Sequence, residues 1–331
     1  MEHKTIIISR TDSIGDVVLT LPMAGVIKKF YPNSKIIFLG KTYTKPVVEL
    51  SKYVDDFINW DELQKMPNAL EVLKKYNADI FIHVFPNKAI AKLVKQAKIP
   101  LRIGTFGRVF HFLTCNKKVH FSRKKSDLHE SQLNLKLLAP LEITQYFELA
   151  ELANFYGFEN IPLLKPDLQR LIDNTKKNII LHPKSKGSAK EWGLNNYLEL
   201  AQLLPKDHFK IFISGTEEEG KLIGNTFQFD NDNIVSLIGK LSLIDFIAFI
   251  ANTDGLVAAS TGPLHIAAAL NKKAIGLYSP KRPIHPGRWM PIGKHAQSVV
   301  FNPACEQCLK GVDCNCITKI NPQTIADLLS K

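Results

Sequence analysis

No uninterrupted apolar run in this sequence is long enough to cross a bilayer, and the N-terminal one, Thr5 to Ile8, is followed at once by Ser9 and Arg10. This pattern lacks a membrane span and a secretory signal, and predicts a soluble, intracellular chain. The glycine fingerprint of dinucleotide-binding turns is missing, which disfavours a nicotinamide-dependent oxidoreductase. Low-complexity tracts and short-period repeats are also lacking. Acidic residues are missing altogether from Lys88 to Ser126, a stretch that carries eleven cations: Lys88, Lys92, Lys95, Lys98, Arg102, Arg108, Lys117, Lys118, Arg123, Lys124 and Lys125. Such a block is either a solvated basic face or a site for an anionic partner. Its aromatic residues Phe106, Phe110 and Phe112 read as core, because Val109 and Leu113 stand beside them.

What is present is an ordinary globular composition, 45% apolar and 22% charged over 331 residues with a formal charge of +12. That is enough chain for two hydrophobic cores. Apolar runs alternate with helical periodicity, which predicts parallel sheets with crossover helices. In the first half the expected strands are Thr5 to Ser9, Lys35 to Leu39, Asp55 to Asn59, Ile80 to Val84 and Leu101 to Gly104. The helices between them are expected at Gly15 to Phe30, Ala69 to Tyr76, Ala89 to Gln96 and His129 to Leu138. A second series follows the polar stretch from Lys165, with strands at Asn178 to Leu181, Lys210 to Ser214, Ile234 to Ser236, Gly255 to Ala258 and Lys273 to Leu277. Its helices are Leu194 to Leu204, Leu243 to Ala251 and Leu264 to Leu270. The fold class is α/β, two doubly wound Rossmann-like domains covering residues 1–164 and 165–331, with a binding cleft expected between them.

In doubly wound sheets, ligands bind in the loops after the strands, and three such loops carry chemistry. In "RTDSIGDVVLTLP", Ser13 and Asp16 have the spacing of a capping box. The alternative is that Gly15 leaves room for a ligand while Asp16 acts as a general base. In "LHPKSKGSAKEWG", Lys184, Lys186 and Lys190 join small residues ahead of a helix, which suits a phosphate; an exposed lysine-rich loop is the plain alternative. In "ASTGPLHIAAAL", Thr261 can cap a helix, Gly262 permits close approach, and Pro263 sits where its missing N–H costs nothing. Ser260, Thr261 and Gly262 then offer donors to an anion, with His265 one turn inside. Two weaker signals lie between: Glu219 in "SGTEEEG", able to accept from a ribose diol, and Leu241 in "GKLSL", able to pack on a base.

The ordered set "SIGDVVLTLP", "RIG" at Arg102, "HESQLNLKLL", "HPKSKGSAKEW", "SGTEEEG", "GKLSL" and "STGPLHIAAAL" resembles the ADP-heptose:lipopolysaccharide heptosyltransferases, glycosyltransferase family 9, of GT-B fold. The resemblance runs through nearly the whole chain. It implies that Asp16 is the catalytic base, with Ser13 and Gly15 beside it on the acceptor side of the cleft. It implies donor contacts by Ser185, Lys190, Glu219, Leu241, Ser260, Thr261, Gly262 and His265. Ser260 departs from well-known members, which carry an aspartate there. The implied reaction is an inverting transfer of heptose from ADP-heptose to the anionic inner core of lipopolysaccharide. It would be catalysed by a cytoplasmic monomer in peripheral contact with the inner membrane face, with no nucleic-acid partner. No cofactor is required by this reading, and the loops after the C-terminal strands carry no Asp-x-Asp pair to hold a divalent metal. Another nucleotide sugar as donor, or a binding protein without turnover, are the alternatives.

Cysteine is scarce, five residues in all, yet four of them crowd the C-terminal end as Cys305, Cys308, Cys314 and Cys316. The spacing suits structural zinc, with free thiols or local disulfides as alternatives. Cys115 stands alone and is expected to be buried.

Overall fold

Ile6, Ile7 and Ile8 are wholly buried in β1 (Thr5–Ser9), as a strand covered on both faces requires. In the computed structural model, which describes residues 3–123, 126–224, 226–227 and 233–331, β1 is central to a parallel six-stranded sheet. Its companions are β2 (Lys35–Gly40), β3 (Asp56–Asn59), β4 (Ile80–His83), β5 (Leu101–Thr105) and β6 (Lys117–Val119), in the order β3-β2-β1-β4-β5-β6. Ile7 is in register with Ile37 on one side and Phe81 on the other, so apolar side chains stack in a continuous core layer.

The second sheet repeats the arrangement. It comprises β7 (Lys177–His182), β8 (Phe209–Ile213), β9 (Ile234–Ser236), β10 (Gly255–Ala259), β11 (Lys273–Tyr278) and β12 (Ala296–Val300), in the order β12-β11-β10-β7-β8-β9. The chain divides into two compact units, Met1–Asn160 and Ile161–Lys331, one around each sheet. Strand order reverses between β1 and β4 in one unit and between β7 and β10 in the other. Loops leaving those strands are where doubly wound sheets bind ligands.

Several elements differ from expectation for local reasons. The single helix expected from Gly15 to Phe30 is two, Ile14–Val18 and Pro22–Phe30, because Pro22 has no N–H to continue the ladder and instead opens the second helix. Gly15 and Asp16 therefore lie in a helical first turn rather than a loop. The helix expected from His129 to Leu138 runs from Glu130 to Leu135 and then tightens into a 3-10 turn around Pro140. The edge strands β6 and β12 and the helices Val109–Thr114 and Pro322–Ser330 were not expected. The last of these buries Ile325 and Leu329 in the core shared with Leu200 of the helix Leu194–Leu203.

The basic block is corrected on one point. Phe106, Val109, Phe112 and Leu113 are not core: Val109 is 84% and Leu113 72% exposed, and the two phenylalanines are about half exposed. The helix Val109–Thr114 is anchored by the buried His111, whose Nδ1 lies 3.1 Å from the backbone N–H of Thr105, and this turns Val109, Phe112 and Leu113 outward. Lys88, Lys92, Lys95, Lys98, Arg108 and Lys117 are exposed. Arg102 is tied down by the carbonyls of Thr114 and Ile99, and Lys124 and Lys125 lie outside the described residues.

Candidate functional site

At the C-terminal end of β1, Arg10 is 3% exposed and surrounded by acids. Its Nε donates to Asp12 at 2.7 Å, its Nη1 donates to Glu130 at 3.0 Å, and its Nη2 donates to Asp16. Arg123 donates to the same Glu130 and, at 3.0 Å, to the side-chain oxygen of Asn134. Burial works against the charge on Arg10, but Asp12, Asp16 and Glu130 outweigh it and hold the guanidinium above its ordinary range. Burial, together with the neighbouring Asp16, pushes the Asp12 carboxyl up to about 6 despite Arg10.

Asp16 is oriented by this cluster and not by a capping box. Ser13 precedes the helix but its side chain makes no bond to a free backbone N–H; its hydroxyl donates to the Asp16 carboxylate instead. The cationic guanidinium makes a stronger, charge-assisted partner for the carboxylate than a neutral backbone N–H. Behind it, Thr20 donates to the Asp16 carbonyl at 2.8 Å and accepts from Asn134 at 3.1 Å. Arg10, Asp12, Glu130 and Asn134 were not singled out from the sequence, although an arginine placed directly after an apolar strand and before two acids is a visible signal.

In the second unit the loop after β7 is less free than its lysines suggest. Lys184 pairs with Glu191, Lys186 with Glu218 at 3.2 Å, and Lys190 with Asp313. Ser185 is likewise engaged locally, its hydroxyl donating to the carbonyl of Ala189 at 2.9 Å while its backbone N–H donates to Glu191 at 3.0 Å. Trp192 fixes the end of the loop: it is fully buried, packs edge-on against Tyr197, and donates from Nε1 to the carbonyl of Ile320 at 2.9 Å.

The loop after β10 leads into the helix Gly262–Ala269, whose buried Leu264, Ala267 and Ala268 allow close packing on the sheet. Thr261 does not cap it, contrary to expectation. Its hydroxyl makes no cap bond and has no partner among the described residues, although the residue is buried at 6% exposure. A buried hydroxyl left unmatched at a helix N-terminus is costly unless a ligand completes it. Ser260 shares a small pocket with Lys190, Tyr278 and Ser279, and the Ser279 hydroxyl is also buried and unmatched. His265 is buried one turn into the helix. Glu219 closes a capping box with Thr216 at the start of the helix Glu217–Ile223, its carboxylate accepting from the Thr216 N–H at 2.8 Å. Leu241 is half-buried just ahead of Ser242, which caps the helix Leu243–Ala251.

Cys305, Cys308, Cys314 and Cys316 converge, with all four sulfurs within 4.8 Å of one another. None is in a disulfide, and Cys115 is a buried free thiol. Zinc bonded tetrahedrally to four thiolates at about 2.3 Å separates the sulfurs by roughly 3.8 Å. The Cys305 to Cys314 separation of 3.7 Å matches that edge and the Cys314 to Cys316 separation of 3.2 Å is shorter; the four thiols are close enough together to share one ion.

Comparison with known proteins agrees with the resemblance in the motifs. The model of glycosyltransferase family 9 (heptosyltransferase) matches residues 69–317. The lipopolysaccharide core heptosyltransferase OpsX of Haemophilus influenzae is 22% identical, over 85% of this chain and 80% of its own length. Among solved structures, a family 9 glycosyl transferase from Veillonella parvula superimposes with a TM-score of 0.82 at 18% identity, covering 100% of this chain and 98% of the other. The Escherichia coli heptosyltransferase WaaC with ADP superimposes with a TM-score of 0.71 at 18% identity, covering 98% and 99% of the two chains. The twin doubly wound sheets are those of the GT-B fold, and with three quarters of its length inside the family model this chain belongs to glycosyltransferase family 9, the heptosyltransferases.

Proposed function

We propose that the protein transfers heptose from ADP-heptose to the anionic inner core of lipopolysaccharide with inversion at the anomeric carbon. The observation that carries this reading is the N-terminus of the helix Gly262–Ala269, where the Thr261 hydroxyl is buried and unmatched beside a pocket holding Lys190 and Ser260. A diphosphate supplies the acceptors that this hydroxyl, the free backbone N–H groups and the lysine lack. Glu219 and Leu241 serve the ribose and the adenine in this reading, and Ser185, Gly262 and His265 complete the donor site. The solved relative WaaC carries ADP, which supports the choice of nucleotide.

The chemistry divides between the two units. Asp16, oriented by Arg10 and Ser13, accepts the proton of an acceptor hydroxyl, and Gly15 leaves the sugar room. The hydroxyl oxygen bonds to the anomeric carbon as the bond from that carbon to the diphosphate oxygen breaks, and attack from the opposite face inverts the centre. Negative charge gathering on the departing ADP is met by Lys190 and the helix N-terminus at Thr261 and Gly262. The four-cysteine cluster is read as a structural zinc site that takes no part in the transfer.

In this reading the enzyme works in the cytoplasm, with the basic, apolar surface of the first unit toward the inner leaflet that carries its acceptor. The decisive measurement is transfer by Asp16→Asn. It should fall by roughly 10²- to 10⁴-fold while ADP still binds, and undiminished transfer would remove Asp16 as the base. A second donor is favoured by one observation, Ser260 in place of the family's aspartate. Thermal stabilisation by a panel of nucleotide sugars decides it: stabilisation and turnover with another sugar but not with ADP-heptose overturns the donor and leaves the family intact.

A further inference from the structure

The lysine assigned to the donor diphosphate is held by the cysteine loop. Lys190 Nζ donates to the carbonyl of Cys314 at 2.7 Å and pairs with the neighbouring Asp313. Cys314 is one of the four clustered thiols, 3.7 Å from Cys305 and 3.2 Å from Cys316. Between the short helix Glu306–Leu309 and the turn Cys316–Lys319 the chain has no regular structure, and residues 309–313 are exposed. Cys314 lies in neither helix nor strand, and an ion joining its sulfur to those of Cys305, Cys308 and Cys316 would fix its carbonyl. Ile317, directly after the last cysteine, lines the same pocket as Lys190, Ser260 and Tyr278.

Resting on the zinc and donor readings above, we infer that occupancy of the four-cysteine site positions Lys190. With the ion bound, the Cys314 carbonyl and Asp313 confine the ammonium at the pocket rim, so little rotamer freedom is lost when it meets the diphosphate. Without the ion the loop loosens and the lysine with it. Lys190 touches the donor, whereas Asp313 and the cysteines act through it and are positioning residues. The site thus makes donor affinity depend on metal supply.

The test is calorimetric titration of the full chain with ADP, comparing zinc-loaded, chelator-stripped and reloaded protein, for wild type and Lys190→Ala. Zinc content and circular dichroism are measured on each sample. The expected result is roughly tenfold weaker ADP binding on stripping, recovery on reloading, and a Lys190→Ala variant that binds weakly and does not respond to the metal. Wild-type affinity that ignores stripping, or a Lys190→Ala variant that responds as strongly as wild type, overturns the proposal. The underlying readings fail separately. Protein that takes up no zinc refutes the metal site, and loaded protein that never binds ADP refutes the donor site. Should stripping unfold the chain, Asp313→Asn in loaded protein gives the answer, because that side chain is 81% exposed and its substitution should leave the fold intact. Weaker ADP binding supports positioning; unchanged or tighter binding overturns it, since an acid that merely competed for the lysine would release it when neutralised.

Discussion

Arg10 binds three carboxylates that the chain gathers from very different distances: Asp12 is two residues away, Asp16 six, and Glu130 one hundred and twenty. Local spacing exposes the first two and conceals the third, so the sequence suggests a capping box where the fold builds a charge cluster. The same blindness affects the lysines of the second unit, whose partners Glu218 and Asp313 come from other segments of the chain. Asp12 is the strained member of the cluster. Its carboxyl is raised from 3.8 to about 6, chiefly by burial and then by Asp16, against the pull of Arg10. A folded value above the unfolded one means the group contributes stability at low pH, and that contribution is lost as pH rises through about 6. Between pH 7 and pH 5 the linkage amounts to about 1 kcal/mol in favour of the acid side. Asp12→Asn should therefore flatten the change in unfolding free energy between these two pH values, measured by denaturant titration. A variant that keeps the full wild-type slope would show that Asp12 is not the group responsible.

At the scale of elements, most of the sheet was legible. The strand Thr5 to Ser9 and the helix Leu243 to Ala251 have the bounds expected from their runs, because a buried parallel strand and an amphipathic helix both write their burial into residue order. What escaped were the elements whose stability comes from a neighbour. The edge strands β6 and β12 are short or half-exposed, and the helix Pro322–Ser330 depends on packing against Leu194–Leu203. The Val109–Thr114 helix inverted the usual rule by burying its histidine and exposing its hydrophobes. Close packing also sets the helix Gly262–Ala269. A Cβ on Gly293 would lie 2.2 Å from the carbonyl oxygen of Ala268, and the obstacle is helix backbone that cannot rotate aside. Gly293→Ala should cost about 1–3 kcal/mol and weaken ADP binding by displacing the helix Gly262–Ala269. Gly107→Ala, which meets nothing within 4 Å, is the control and should leave the melting temperature where it was.

For the molecule as a whole, the feature that bears on location is a surface of the first unit. No helix among the described residues is long and apolar enough to cross a membrane. The first unit nevertheless turns Phe106, Val109, Phe112 and Leu113 to solvent, beside exposed cations from a stretch with no acid in it. A protein partner of ordinary composition would leave many of those cations unmatched, whereas an anionic bilayer offers both an apolar layer for the four side chains and a dense negative surface for the lysines. Each lysine or arginine near such a surface contributes about 1 kcal/mol, and the contribution falls with ionic strength. The full chain should cosediment with vesicles of phosphatidylcholine and phosphatidylglycerol but not with phosphatidylcholine alone, and salt should release it. Val109→Ser combined with Leu113→Ser should abolish cosedimentation while leaving the melting temperature and transfer to a soluble acceptor fragment unchanged, since neither side chain supports the core. Equal binding to neutral vesicles, or a double variant that still sediments, would sink the membrane reading. Wild-type self-association that the double variant loses would assign the patch to a second copy of the chain instead.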